Sequence, residues 1–202
     1  TYLRPAAAFS TLGWFNDPLL STTLVADSVD LVNTVIHELT HNRYYAKDGA
    51  VFNESFANFV GARGAERFFL ARGDSTSAKR SVDRWADDRL LAAYWARLYT
   101  ALDSAFKANA GDSLKTRRLA IRDSTYRDAR RFLVDSVGPR FLTIPRVYAE
   151  RVRLDNAALL ARRIYLTDLE RFERVFEASG RDLEVAIRRL IEEHEAGPPA
   201  SR

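Results

Sequence analysis

The sequence predicts a mainly α protein with a small N-terminal β segment, and three observations carry that prediction. Beyond Asp27, apolar residues recur at three- and four-residue intervals almost to the end of the chain. Those stretches are punctuated by helix-capping residues and by glycines at their ends. Only the stretch from Ala6 to Ala26 lacks the helical period. There, Ala8-Phe9-Ser10-Thr11-Leu12 is short, apolar and closed by Gly13, which makes it a strand candidate. Asp17-Pro18 then marks a turn, and Ser21 to Ala26 is a second, weaker strand candidate.

The helices follow in order. Asp27 or Ser28 caps a helix running to about Tyr45, whose apolar stripe is Val32, Val35, Ile36 and Leu39. Asp48-Gly49 breaks the chain, and a second helix runs from near Asn53 to Gly73. A long helix from about Thr76 to Asn109 carries Trp85, Leu90, Leu91, Tyr94, Trp95, Leu98 and Leu102 at helical spacing. A fourth spans Asp112 to about Ser136 and stops at Gly138-Pro139. Past the loop through Pro145, one helix is expected over Asn156–Tyr165. Thr167-Asp168-Leu169-Glu170 reads as a capping box opening another, which ends at Gly180. The last spans about Asp182 to Glu195. The expected organisation is a single helical domain over residues 1–196 and a disordered tail over 197–202, opened by Gly197-Pro198-Pro199.

Composition narrows the function classes. The 202 residues are 47% hydrophobic and 11% aromatic, enough for a proper core. No apolar run approaches the roughly 20 residues that span a bilayer. Cysteine is absent, which removes disulfides, thiolate zinc sites and cysteine nucleophiles together. Methionine is absent too, even at position 1, so the chain reads as a processed chain, an excerpt or a fragment, in which any upstream signal peptide or lipid anchor would not be seen. The net charge is +4, yet the cations are almost all arginines interleaved with acids, as in Arg171-Phe172-Glu173-Arg174. That pattern marks solvated helix faces, and no motif that reads RNA or DNA accompanies it, so no nucleic-acid partner is expected.

The chemistry sits in His37-Glu38-Leu39-Thr40-His41, inside the first helix. Four residues advance a helix by about 400° and about 6 Å, so both imidazoles project from one face and can grip one ion. Glu38 lies one residue along, beside the metal, where it can take a proton from a bound water. The apolar stripe is on the opposite side, so the histidine face is expected to turn away from the main packing surface, while the Asp48-Gly49 turn lets the second helix fold back against that face. Catalytic zinc takes three protein ligands and keeps one open position. A third histidine at position 47 would mark a metzincin, but Lys47 stands there and Tyr44 replaces the required glycine. His194 is near a frayed end and reads as a surface residue. The third ligand is therefore expected to be a carboxylate from Asn53-Glu54-Ser55-Phe56-Ala57. Glu54 sits in the first turn of the second helix, with Ala57 small enough for close approach. Asn58, one turn further, shares that face and can orient a histidine from behind the metal ligands. Glu66, twelve residues on, is rotated by about 120° and faces elsewhere.

The segments Val35-Ile36-His37-Glu38-Leu39-Thr40-His41 and Val51-Phe52-Asn53-Glu54-Ser55-Phe56-Ala57-Asn58-Phe59-Val60-Gly61 resemble the bacterial zinc aminopeptidase family within the gluzincins. Phe9 to Thr22 is similar to the segment just upstream in that family, and Leu154 to Leu159 with Tyr165 matches more weakly. The resemblance is strong over residues 6–61. It implies a zincin-like catalytic region with one Zn²⁺ per chain, peptide hydrolysis, and a missing N-terminal portion. It also implies the bacterial cell envelope or periplasm as location, with membrane association only through an upstream lipid anchor. The chain departs from better-known gluzincins in two respects. Only twelve residues separate His41 from Glu54, and no Gly-x-Met-Glu-Asn strand is present.

The expected roles are then these. His37, His41 and Glu54 hold zinc, and Glu38 is general base toward the attacking water. Tyr165, or else Tyr44, stabilises the oxyanion. Asn156 donates to substrate or caps its helix. Trp14 walls the cleft, and Thr11 lies in an edge that can pair with an extended peptide. The alternative from another class is a non-catalytic helical interaction module with an inactive or structural metal site.

Overall fold

The computed structural model describes residue 24 and residues 27–111 and 114–197. These residues divide into two compact units. One comprises Ala86–Thr167, and the other the described residues up to Trp85 together with those from Asp168 onward.

The unit bearing the paired histidines begins with α1, Ser28–Arg43. Asp27 caps it, its carboxylate accepting from the backbone N–H groups of Val29 and Asp30 at 3.0 Å. Arg80 and Arg84 reach back to the same carboxylate, so the cap is also an ion-pair anchor. After a short connection α2 runs Ala50–Ala71, and α3 opens at Ser75. The chain returns to this unit with α7, Leu169–Ala178, and α8, Leu183–Glu195. Phe56, Phe59, Trp85, Phe172 and Phe176 fill its centre. Among them Arg63 is buried against Glu173, whose second oxygen accepts from the Trp85 indole N–H at 2.8 Å. A buried cation needs such partners, because desolvation costs several kcal/mol per ion.

What joins α1 to α2 is small residues. A Cβ added at Gly61 would lie 2.7 Å from Asn33 Oδ1 and 2.9 Å from the Asn33 carbonyl oxygen. One turn on, a Cβ at Gly64 would meet Ile36 methyl groups at 3.0 Å. Helix α2 thus lies on the Asn33–Ile36–Thr40 face of α1, and Thr40 and His41 are buried there. The expected packing of the apolar stripe is corrected. Val35 is 36% exposed and Leu39 54%, so half of the apparent apolar stripe faces outward while the histidine face packs. Close approach at glycine outweighed the apolar count.

The other unit holds the rest of α3, to Ala108, then α4, Lys115–Phe132. One π-helical turn, Leu133–Val137, and one 3₁₀ turn, Gly138–Arg140, follow. The short α5, Val147–Arg151, and α6, Asn156–Tyr165, complete it. Leu91, Trp95, Leu98 and Leu102 pack with Leu133, Val137, Ala149 and Leu159. Asp87 is buried and accepts from the backbone N–H groups of Leu142, Thr143 and Ile144 and from the Thr143 hydroxyl, at 2.7–3.0 Å. The loop before α5 is held by that single carboxylate.

Several expectations need correction. The predicted class, mainly α with a small N-terminal β segment in a zincin-like region, is replaced by an all-helical one. The described residues contain no strand, and Leu24, within the second strand candidate, is helical. The first candidate, Ala8–Leu12, lies outside the described residues, as do Thr11, Trp14 and the tail beyond Gly197. Helix α2 starts at Ala50 rather than near Asn53, since Asp48, with φ of 60°, takes the turn's left-handed position and frees the chain to coil at once. Thr167 is not the cap residue of α7. Asp168 precedes α7 in a left-handed conformation, and the Thr167 hydroxyl donates to the Arg163 carbonyl of the preceding helix instead. Helix α5 was not expected at all, because five residues are too few to show a period.

Candidate metal centre

Helix α1 presents His37 and His41 on the face toward α2, as the four-residue spacing requires. Their Nε2 atoms are 3.1 Å apart, with the rings edge to face. From α2, Glu54 brings Oε2 to 3.4 Å from His37 Nε2 and Oε1 to 3.6 Å from His41 Nε2. Glu54 sits in the second turn of α2, not the first, because that helix begins earlier than expected. The burial of Ala57 in the α2 face one turn on leaves no bulk against the approach.

These distances decide what the cluster can do. At 3.4 and 3.6 Å the carboxylate is further from both imidazoles than a well-formed N–H···O bond, which is 2.7–3.2 Å. For zinc with ligand bonds of about 2.0–2.1 Å, the edge of a tetrahedron is about 3.3–3.4 Å. The imidazole pair and the nearest contact of each imidazole with the carboxylate lie close to that edge, through different oxygens of Glu54, and one ligand atom from each residue lies within 4.8 Å of the others, a size that can surround one ion. The three residues form a group able to hold a metal ion.

Burial alone would raise the Glu54 carboxyl, but the imidazoles of His37 and His41 outweigh it and hold the carboxyl down at about 2. Glu54 is therefore an anion across the physiological range. His41 is buried, and its Nδ1 has no hydrogen-bond partner among the described residues.

The remaining expected site residues are placed as follows. Glu38 is half-buried on α1 between the two histidines, and Asn58 is half-buried one turn beyond Glu54. Tyr165 ends α6 and Asn156 begins it, both in the other unit. There Asn156 Oδ1 accepts from the Tyr126 hydroxyl at 2.7 Å, while the cap of α6 is Asp155. Tyr44 directs its hydroxyl at Glu195, 3.4 Å away, and burial followed by the Glu195 charge raises its pKa. His194 is no ligand. Its ring stacks on Phe52 with centroids 3.8 Å apart. Glu66 pairs with Arg63 and takes no part in the cluster.

Sequence reasoning passed over Asn53, which neighbours Glu54 and is almost wholly buried. It also passed over Gly61 and Gly64 as contact residues. The three-residue spacing of two glycines inside a helix was the available signal.

A comparison with known families matches residues 1–202 to the family described as "Putative aminopeptidase", and the chain belongs to that family. No curated protein and no solved structure matches it.

Proposed function

We propose that this family member is a zinc-dependent peptidase of the gluzincin type, acting as an aminopeptidase with Glu38 as its general base. The observation that carries the reading is the convergence of His37, His41 and Glu54 at 3.1–3.6 Å. An ion held there would polarise the scissile carbonyl and make an attacking water acidic. Glu38 would accept the proton from that water and deliver it to the departing amine. Its position one residue after the ligand candidate His37 on α1 supports that role. Peptide is the substrate class. Family membership and a donor set suited to zinc both support the reading.

The test pairs hydrolysis with metal content. Aminoacyl chromogenic substrates and internally quenched peptides are offered to the zinc-loaded protein, to the chelated protein and to Glu38→Gln. Hydrolysis should vanish on chelation and return with zinc. Glu38→Gln should keep its zinc and lose at least ~10²-fold in rate, the lower range for general acid–base contributions. An active Glu38→Gln protein removes Glu38 from the mechanism. A wild-type protein that binds zinc and cleaves nothing favours the structural-metal module instead.

A further inference from the structure

The connection between the two ligand-bearing helices is short, and one side chain closes it. Asn53 is 2% exposed. Its Oδ1 accepts from the Ala46 backbone N–H at 2.8 Å, and its Nδ2 donates to the Ala46 carbonyl, also at 2.8 Å. Both polar groups of one peptide residue are thus gripped by one carboxamide, as a neighbouring strand would grip them. Around this clamp, Tyr44 N–H donates to the Thr40 carbonyl at 2.9 Å, and Asn53 N–H donates to the Gly49 carbonyl at 2.8 Å. The path from the last turn of α1 into α2 is thus tied at Tyr44, Ala46, Gly49 and Asn53. His41 stands at one end of this path and Glu54, the very next residue after Asn53, at the other.

We infer that Asn53 is a positioning residue for the metal centre, setting the register of Glu54 against His37 and His41 without touching the ion. The inference rests on the metal-centre reading above. Three features make the role specific. The carboxamide has the donor and the acceptor that a single residue's backbone demands, which neither a carboxylate nor an alkyl group supplies. Its burial means that no water can replace either bond at little cost. Its position immediately before Glu54 in the helix couples any rotation there directly to the ligand carboxylate. The outer partners of metal ligands commonly govern affinity by 10–100-fold, and here the control acts through the backbone that carries the ligand.

Asn53→Ala removes both bonds, and Asn53→Asp keeps the acceptor while setting a second oxygen against the Ala46 carbonyl. Ser81→Ala serves as control. It deletes another buried bond of this unit, from the Ser81 hydroxyl to the Ala62 carbonyl at 2.8 Å, away from the connection. For all four proteins the Zn²⁺ dissociation constant is measured by chelator competition, the visible spectrum is recorded with Co²⁺, and the midpoint of thermal unfolding is taken without metal. Both Asn53 variants should bind Zn²⁺ about 10–100-fold more weakly, with altered Co²⁺ bands. Ser81→Ala should lose unfolding midpoint while keeping wild-type affinity and spectrum. Unchanged affinity and spectrum in the Asn53 variants overturn the inference, and so does an equal loss of affinity in Ser81→Ala. A wild-type chain that takes up neither ion overturns the metal-centre reading itself, which is a distinct result.

Discussion

Replacing Gly61 with alanine should drive α1 and α2 apart and loosen the metal centre between them. The added Cβ would stand 2.9 Å from the Asn33 carbonyl oxygen, against 3.4 Å or more for ordinary contact. The Asn33 side chain can swing away, but the carbonyl is part of the helix. About half an ångström must therefore come from separation of the helices. Overpacking of this kind costs about 1–3 kcal/mol, and replacing a mid-helix glycine by alanine returns about 1 kcal/mol of helix propensity. A net loss of roughly 1 kcal/mol in stability is expected from those two contributions. The same half ångström would carry the Glu54 oxygens, now 3.4 and 3.6 Å from the imidazoles, to about 4 Å. That exceeds the tetrahedral edge of about 3.3–3.4 Å, so zinc affinity should fall on the order of tenfold. Gly64→Ala is the comparator, because its Cβ would meet only Ile36 methyl groups, at 3.0 Å, which can rotate. Thermal unfolding without metal and zinc competition titration measure both effects. A Gly61→Ala protein that gains stability and keeps full zinc affinity refutes the reasoning, as does Gly64→Ala proving the more damaging of the two.

Two further outcomes follow from the packing. Hydrogen bonding from Arg84 chiefly holds the Asp27 carboxyl down at about 2, below its ordinary value of 3.8, against the opposing effect of burial. Its stabilising contribution is thus complete above about pH 4 and is lost as pH falls toward 2. The gap in unfolding midpoint between wild type and Asp27→Asn should accordingly be constant near neutrality and close in acid; a gap that widens in acid would reverse the sign. Asp87→Asn should cost about 1–3 kcal/mol in denaturant unfolding, since it sets an NH₂ group against part-buried backbone donors. A loss below about 0.5 kcal/mol, the scale of ordinary surface substitutions, would show that the loop is held otherwise.

The sequence made local geometry legible and left the long-range partners hidden. The spacing of His37 and His41 determines a shared face through helical rotation alone, and Glu54 could be reached by eliminating other donors. The start of α1 followed from Asp27, and α6 fills its expected span although Asp155 rather than Asn156 caps it. The return of α2 onto the histidine face followed from the Asp48-Gly49 turn, but the outward position of Val35 and Leu39 did not, because the cues from Gly61 and Gly64 lie on a different helix. The pairing of Arg63 with Glu173 joins residues 110 apart, and nothing in either neighbourhood signals the other. Asp87 is similar, reading as one charge among many on a long helix although it organises a loop 55 residues away. Asn53 lay within a recognised motif, yet its partner is the backbone of Ala46, which carries no side-chain signature.

Zinc content of the reconstituted protein tests the central claim most directly. Elemental analysis should find one zinc per chain in the wild type, and close to none in His37→Ala, His41→Ala and Glu54→Ala, each still folded by circular dichroism. A wild-type protein without stoichiometric zinc, or full retention in the folded variants, would contradict a metal centre built from these three residues.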